Sequence, residues 1–109
     1  MKYPESEKNG FMIISLTGEV DLNYSPVARE QILKYLKQKK DVLVDLSQVI
    51  YIDSSGIASL VEGFQLARQQ KLFFALFGVS RAAMQVLQLA RLDKVFPIYS
   101  DIDAAVAAK

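Results

Sequence analysis

Residues 42 to 60 constrain the fold more than any other stretch, because a nearly all-apolar strand, Val42 to Leu46, leads within a few residues into an amphipathic helix. The junction reads Tyr51-Ile52-Asp53-Ser54-Ser55-Gly56-Ile57. A helix leaves its first backbone N–H groups unpaired, so a start directly behind a strand favours a side-chain oxygen or a bound anion. A serine at such a corner serves as a cap, a phosphate acceptor or both.

The helix that follows begins near Ser54 or Ser55, places Ile57, Leu60, Val61, Phe64 and Ala67 on one stripe, and ends near Gln70. Around it the same alternation repeats. Phe11 to Thr17 reads as a strand closed by Gly18, and Tyr3 to Lys8 pairs with it as an edge strand through the tight-turn dipeptide Asn9-Gly10. Ser25-Pro26 opens a helix running to about 39, with serine as cap and proline at the first helical position. Leu72 to Phe77 is too short and aromatic for a helix and ends at Gly78, so it is a second buried strand. Ser80 then caps a helix carrying Ala83, Met84, Leu87 and Ala90. Phe96 to Tyr99 contains a proline and fits a short edge strand, and Ser100 to Asp103 opens a last short helix through Ala107. This order predicts an α/β fold: a mixed, largely parallel sheet of four to five strands with about four helices. It forms one domain over residues 1–109, a length that buries roughly 65% of the unfolded surface.

Composition removes several functions. The chain has no cysteine and no histidine, which excludes disulfides, thiolate or imidazole metal sites, and a Ser-His-Asp triad built on Ser54 or Ser55. No glycine-rich phosphate loop of the P-loop form is present, so no enzymatic role and no cofactor is expected. Asp45 and Asp53 stand at strand ends, where aspartates cap or bond locally more often than they hold magnesium. Thirteen basic and twelve acidic residues leave a net charge of +1, which argues against nucleic acid as a partner. The run Lys37-Gln38-Lys39-Lys40 reads as a cationic helix end. No signal peptide and no apolar run of the ~18 residues needed to span a membrane is seen, so the cytoplasm is the expected compartment without membrane insertion.

Four segments together resemble one family. Gly18-Glu19-Val20-Asp21, Val44-Asp45-Leu46-Ser47, Tyr51 to Gly56, and Leu89 to Phe96 look like a STAS domain, in particular the bacterial anti-sigma factor antagonists. The resemblance spans nearly the whole chain in the right order. It implies a protein-interaction module in which the serine after the aspartate, here Ser54 behind Asp53, is phosphorylated by a partner that is both anti-sigma factor and serine kinase. A PP2C-type phosphatase would reverse the modification. Glu19 and Asp21 match acidic positions near the acceptor, or are simply a solvated loop. Ser55, Gly56 and Ile57 complete the implied site. The family's usual leucine and second glycine are Ile57 and Ala58 here, which leaves the hydroxyl in place and bears on partner identity. Another function the resemblance allows is a subunit of a lipid-asymmetry ABC transport complex, which needs no phosphorylation.

Overall fold

A computed structural model describes residues 2–109. The chain order is β1 (Glu5–Lys8), β2 (Phe11–Val20), α1 (Ser25–Lys37), β3 (Asp41–Ile52), α2 (Ser54–Gln70), β4 (Phe74–Phe77), α3 (Arg81–Leu89), β5 (Ile98–Tyr99) and α4 (Ile102–Ala107). The five strands form one sheet in the order β1-β2-β3-β4-β5. β1 runs antiparallel to β2 and every other pair is parallel, so the expected mixed, largely parallel α/β architecture is what the chain adopts.

Asn9 and Gly10 both have positive φ, 52° and 85°, the backbone a two-residue hairpin turn requires. That turn makes β1 antiparallel. The three parallel steps need crossovers, and crossovers of one hand deliver α1, α2 and α3 to the same face. There Ile14, Val44 and Leu76 from the strands meet Ile32, Leu60 and Leu87 from the helices, all fully buried. A buried side chain of this size contributes about 1.5–3 kcal/mol. Alternate strand positions point the other way: Phe11, Ile13, Leu43, Ala75 and Phe77 form a smaller cluster covered by Ala105 of α4. The six-residue α4 carries one ion pair to β1, Lys8–Asp103 at 3.0 Å, and Lys109 just past its end pairs with Asp41.

Several boundaries differ from those expected. β2 does not close at Gly18 but continues to Val20, with irregular register between Ser15 and Thr17 and between Gly18 and Glu19. β3 likewise runs to Ile52 rather than stopping at Leu46, so the two strands extend each other. β4 starts at Phe74: the Phe73 carbonyl still accepts from the Val42 N–H (3.0 Å), but its N–H goes to the Asp41 carboxylate (2.8 Å). β5 is confined to Ile98–Tyr99, with Pro97 just outside it. Ser25 does not cap α1: Tyr24 precedes the helix without a side-chain cap bond, and Ser25 is the first helical residue. The turn is held instead by Asp21, whose carboxylate accepts from the N–H groups of Asn23 (3.0 Å) and Tyr24 (3.3 Å). α1 stops at Lys37 because Lys39 turns left-handed, with φ 64°. Ser80 caps α3 as expected, accepting from the Ala83 N–H at 3.1 Å. At α4 the cap is Asp101, bonded to the Ala104 N–H at 2.9 Å.

Candidate functional site

The corner between β3 and α2 is built by one carboxylate. Asp53 is extended, and its Oδ1 accepts from the N–H groups of Ser55 (2.9 Å) and Gly56 (3.2 Å) and from the Ser55 hydroxyl (2.5 Å). The Ser55 hydroxyl foremost, with smaller help from the Gly56 and Ser55 N–H groups, holds the Asp53 carboxyl below its ordinary value against the desolvation that burial imposes. Two orphan N–H groups of the helix start are thereby satisfied without any contribution from Ser54. Ser54 is exposed, and among the described residues no hydrogen bond ties its hydroxyl. Ser55 is half-buried and its hydroxyl is committed to Asp53.

Gly56 explains how tightly this corner is closed. A Cβ there would lie 2.6 Å from Ile52 Cγ1 and 2.8 Å from the Val20 carbonyl oxygen. The Val20 carbonyl also accepts from the Asp53 N–H at 3.3 Å. The first turn of α2 therefore sits against the ends of both β2 and β3. That contact brings the acidic segment of β2 to the same corner: Glu19 is exposed and in register with Tyr51, and Asp21, half-buried, organises the turn into α1. Of the residues the sequence singles out, Ser54, Asp53, Ser55, Gly56, Glu19 and Asp21 thus share one end of the sheet. Ile57 turns inward and is 7% exposed, part of the α2 core stripe rather than the surface.

The segments framing Ser54, residues 19–24 and 50–57, contain three carboxylates and no lysine or arginine. They also carry exposed apolar side chains that pattern analysis passed over: Leu22 (73% exposed), Ile50 (69%), Tyr51 (50%) and Tyr24 (41%). Only two other large apolar residues, Leu89 and Val95, are so exposed among the described residues. Strand alternation could not have found Ile50 and Tyr51, since Val49 and Ile52 are buried while these two adjacent residues between them are both exposed, a spacing that breaks the period of two.

Beside the corner, α1 and α2 enclose an open groove of about 660 Å³, lined by Ser25, Arg29, Leu33, Ser55, Ala58 and Glu62 among others. Arg29 and Glu62 bridge the two helices at 2.6 Å. The helices approach closely because α2 presents small residues. Ser59 donates to the Ser25 or Ser55 carbonyl, each 3.2 Å away, and a Cβ on Gly63 would meet Ile32 at 2.6 Å. Among the described residues no three acidic side chains gather as metal ligands: Asp45 is engaged by Ser15 Oγ (3.2 Å) and the Ser47 N–H (2.9 Å). No described helix is long and apolar enough to cross a membrane.

A sheet with one antiparallel edge, three helices on one face and a serine exposed behind a capping aspartate defines a class of small α/β domain. The chain belongs to the STAS domain family, which matches residues 3–105, and stands among the anti-sigma factor antagonists. It is 30% identical over 86 residues to the anti-sigma-B factor antagonist of Listeria monocytogenes, covering 78% of this chain and 75% of that one. A STAS anti-sigma-factor antagonist domain protein from Planctomyces limnophilus superposes with TM-score 0.88 at 26% identity, over 99% of this chain and 97% of the other. The Bacillus cell fate determinant SpoIIAA, solved in a phosphorylated form, shares the fold at TM-score 0.76 and 16% identity, over 97% of each chain.

Proposed function

We propose that this chain is an anti-sigma factor antagonist that works in the cytoplasm as a phosphorylation-switched docking module. Unmodified, it binds an anti-sigma factor that is also a serine kinase; phosphorylated on Ser54, it is released, and a PP2C-type phosphatase restores it. The chain is then substrate and binding partner rather than catalyst. The observation that carries this reading is Ser54 itself: exposed, with a hydroxyl that no hydrogen bond ties among the described residues, and excused from capping by Asp53.

The frame around Ser54 suits such a switch. Exposed Leu22, Ile50 and Tyr51 offer apolar surface of the kind that marks protein contacts. A phosphate adds about −1.5 to −2 charges among Glu19, Asp21 and Asp53. The α2 amino terminus offsets about 0.3–1 kcal/mol of the cost. A hundredfold loss of affinity needs only about 2.7 kcal/mol, which desolvating the rest of that charge supplies without refolding.

The test is a pull-down from native extract with and without ATP, followed by mass mapping. Ser54→Ala is expected to retain the partner and take no phosphate, and Ser54→Asp to lose affinity. Phosphate on Ser55, or on neither serine, overturns the assignment. Recovery of a permease and its ATPase in place of a kinase would move the chain to transport.

A further inference from the structure

Two serines stand side by side at the start of α2, so a kinase reaching this corner meets two hydroxyls. We infer that Asp53 is the residue that confines phosphorylation to Ser54, by holding the Ser55 hydroxyl out of reaction. The inference rests on the reading of the chain as a kinase substrate and concerns which oxygen is used.

Transfer requires a serine Oγ to attack the γ-phosphorus of ATP. The Oγ–P bond forms as the bond from phosphorus to the β,γ-bridging oxygen breaks, ADP leaves with that electron pair, and the hydroxyl proton passes to a base of the kinase. An Oγ able to do this must turn outward and accept a polyanion. Ser54 is exposed, and among the described residues nothing binds its Oγ. Ser55 is half-buried and its Oγ donates to Asp53 Oδ1 at 2.5 Å. To react, Ser55 must break a bond to a charged acceptor or bring the γ-phosphate against that carboxylate. The carboxylate cannot follow it outward, because the Ser55 and Gly56 N–H groups hold the same oxygen at 2.9 and 3.2 Å. Nor does Asp53 serve as a base for Ser55, since these same bonds make its carboxylate a poor proton acceptor.

Asp53 is thus a positioning residue, and its effect is separable from its capping role. Asp53→Asn keeps an oxygen for the three donors and removes the charge; Asp53→Ala removes both. In a Ser54→Ala background, native extract with labelled ATP is expected to leave Ser55 almost unlabelled. Adding Asp53→Ala should raise Ser55 labelling roughly ten- to hundredfold, the ratio commanded by one hydrogen bond to a charged group, and Asp53→Asn should fall between. Circular dichroism confirms that each variant is folded. Three-bond couplings of the Ser55 β-protons supply a readout independent of any kinase, with one rotamer expected in the unmodified chain and averaging in Asp53→Ala. Labelled Ser55 in Ser54→Ala alone, an unlabelled Ser55 in the folded double variant, or averaged Ser55 couplings in the unmodified chain each overturn the inference. An unmodified chain that takes no phosphate while its Ser55 couplings report one rotamer sinks the proposed function instead.

Discussion

Helices α2 and α3 both begin directly behind a buried strand, and both have serine at the entrance, yet they employ it differently. At α3 the serine is the cap: Ser80 Oγ accepts from the Ala83 N–H, and its hydroxyl is consumed by the fold. At α2 an aspartate one residue earlier takes the capping position, so Ser54 moves inside the helix with its hydroxyl unspent. The third helical residue differs as well. It is Ala83 in α3, fully buried without conflict, and Gly56 in α2, pressed on the Val20 carbonyl. A serine becomes available for chemistry where a stronger acceptor has taken over its structural duty, and the helix start there is set closer to the sheet.

The largest effect expected from that difference is at Gly56. Gly56→Ala gains about 1 kcal/mol of helix propensity, but its methyl must fit 2.8 Å from a backbone oxygen that has no room to retreat. The expected outcome is a net loss of about 2 kcal/mol, within the range of overpacked sites, measured by urea unfolding. An unchanged midpoint would show that α2 sits no tighter than α3.

Next in size are the caps. Ser80→Ala is expected to cost about 1 kcal/mol, and Asp53→Ala to lower the melting temperature further, because Asp53 serves three donors where Ser80 serves one. Equal losses would erase the distinction between the two corners. Titration sharpens it. The Asp53 carboxyl, bonded first by the Ser55 hydroxyl, lies below the ordinary 3.8 in the folded chain. The folded state therefore binds that proton less readily than the unfolded one. Its stabilisation is complete above the unfolded value and is lost as pH falls through the lower folded one. Melting temperatures of the unmodified chain and Asp53→Asn, followed from neutral pH into acid, are expected to converge. A gap that stays constant would mean that the carboxylate is not preferentially stabilised.

Much of this arrangement was readable from residue types. The apolar runs at Val42 to Leu46 and Leu72 to Phe77 and the stripe from Ile57 to Ala67 announce buried strands and a packed helix, because burial on these elements leaves a trace in residue type. The prolongation of β2 to Val20 and β3 to Ile52 left no such trace. It arises from pairing between strands distant in sequence, with Gly18 at φ 70° absorbing a register change. Ser25 looked like a cap because serine before proline commonly is one, but Asp21 four residues earlier competes for the same turn. The spacing at Asp53-Ser54-Ser55 left capping and modification open for each serine. What separates them is the direction of one hydroxyl, that of Ser55, which Asp53 Oδ1 takes together with the Ser55 and Gly56 N–H groups.

The smallest expected effect is the most discriminating. If Ser54 has no structural duty, Ser54→Ala should change folding stability by less than about 0.5 kcal/mol, as exposed substitutions away from special features do, while Ser80→Ala shows its full cap loss in the same assay. Serine is a poorer helix former than alanine, so the sign for Ser54→Ala is neutral to slightly stabilising. A loss comparable to that of Ser80→Ala would place the Ser54 hydroxyl in the capping network. Phosphorylating it would then break a bond of the fold, and release of a partner would follow from local unfolding rather than from charge alone.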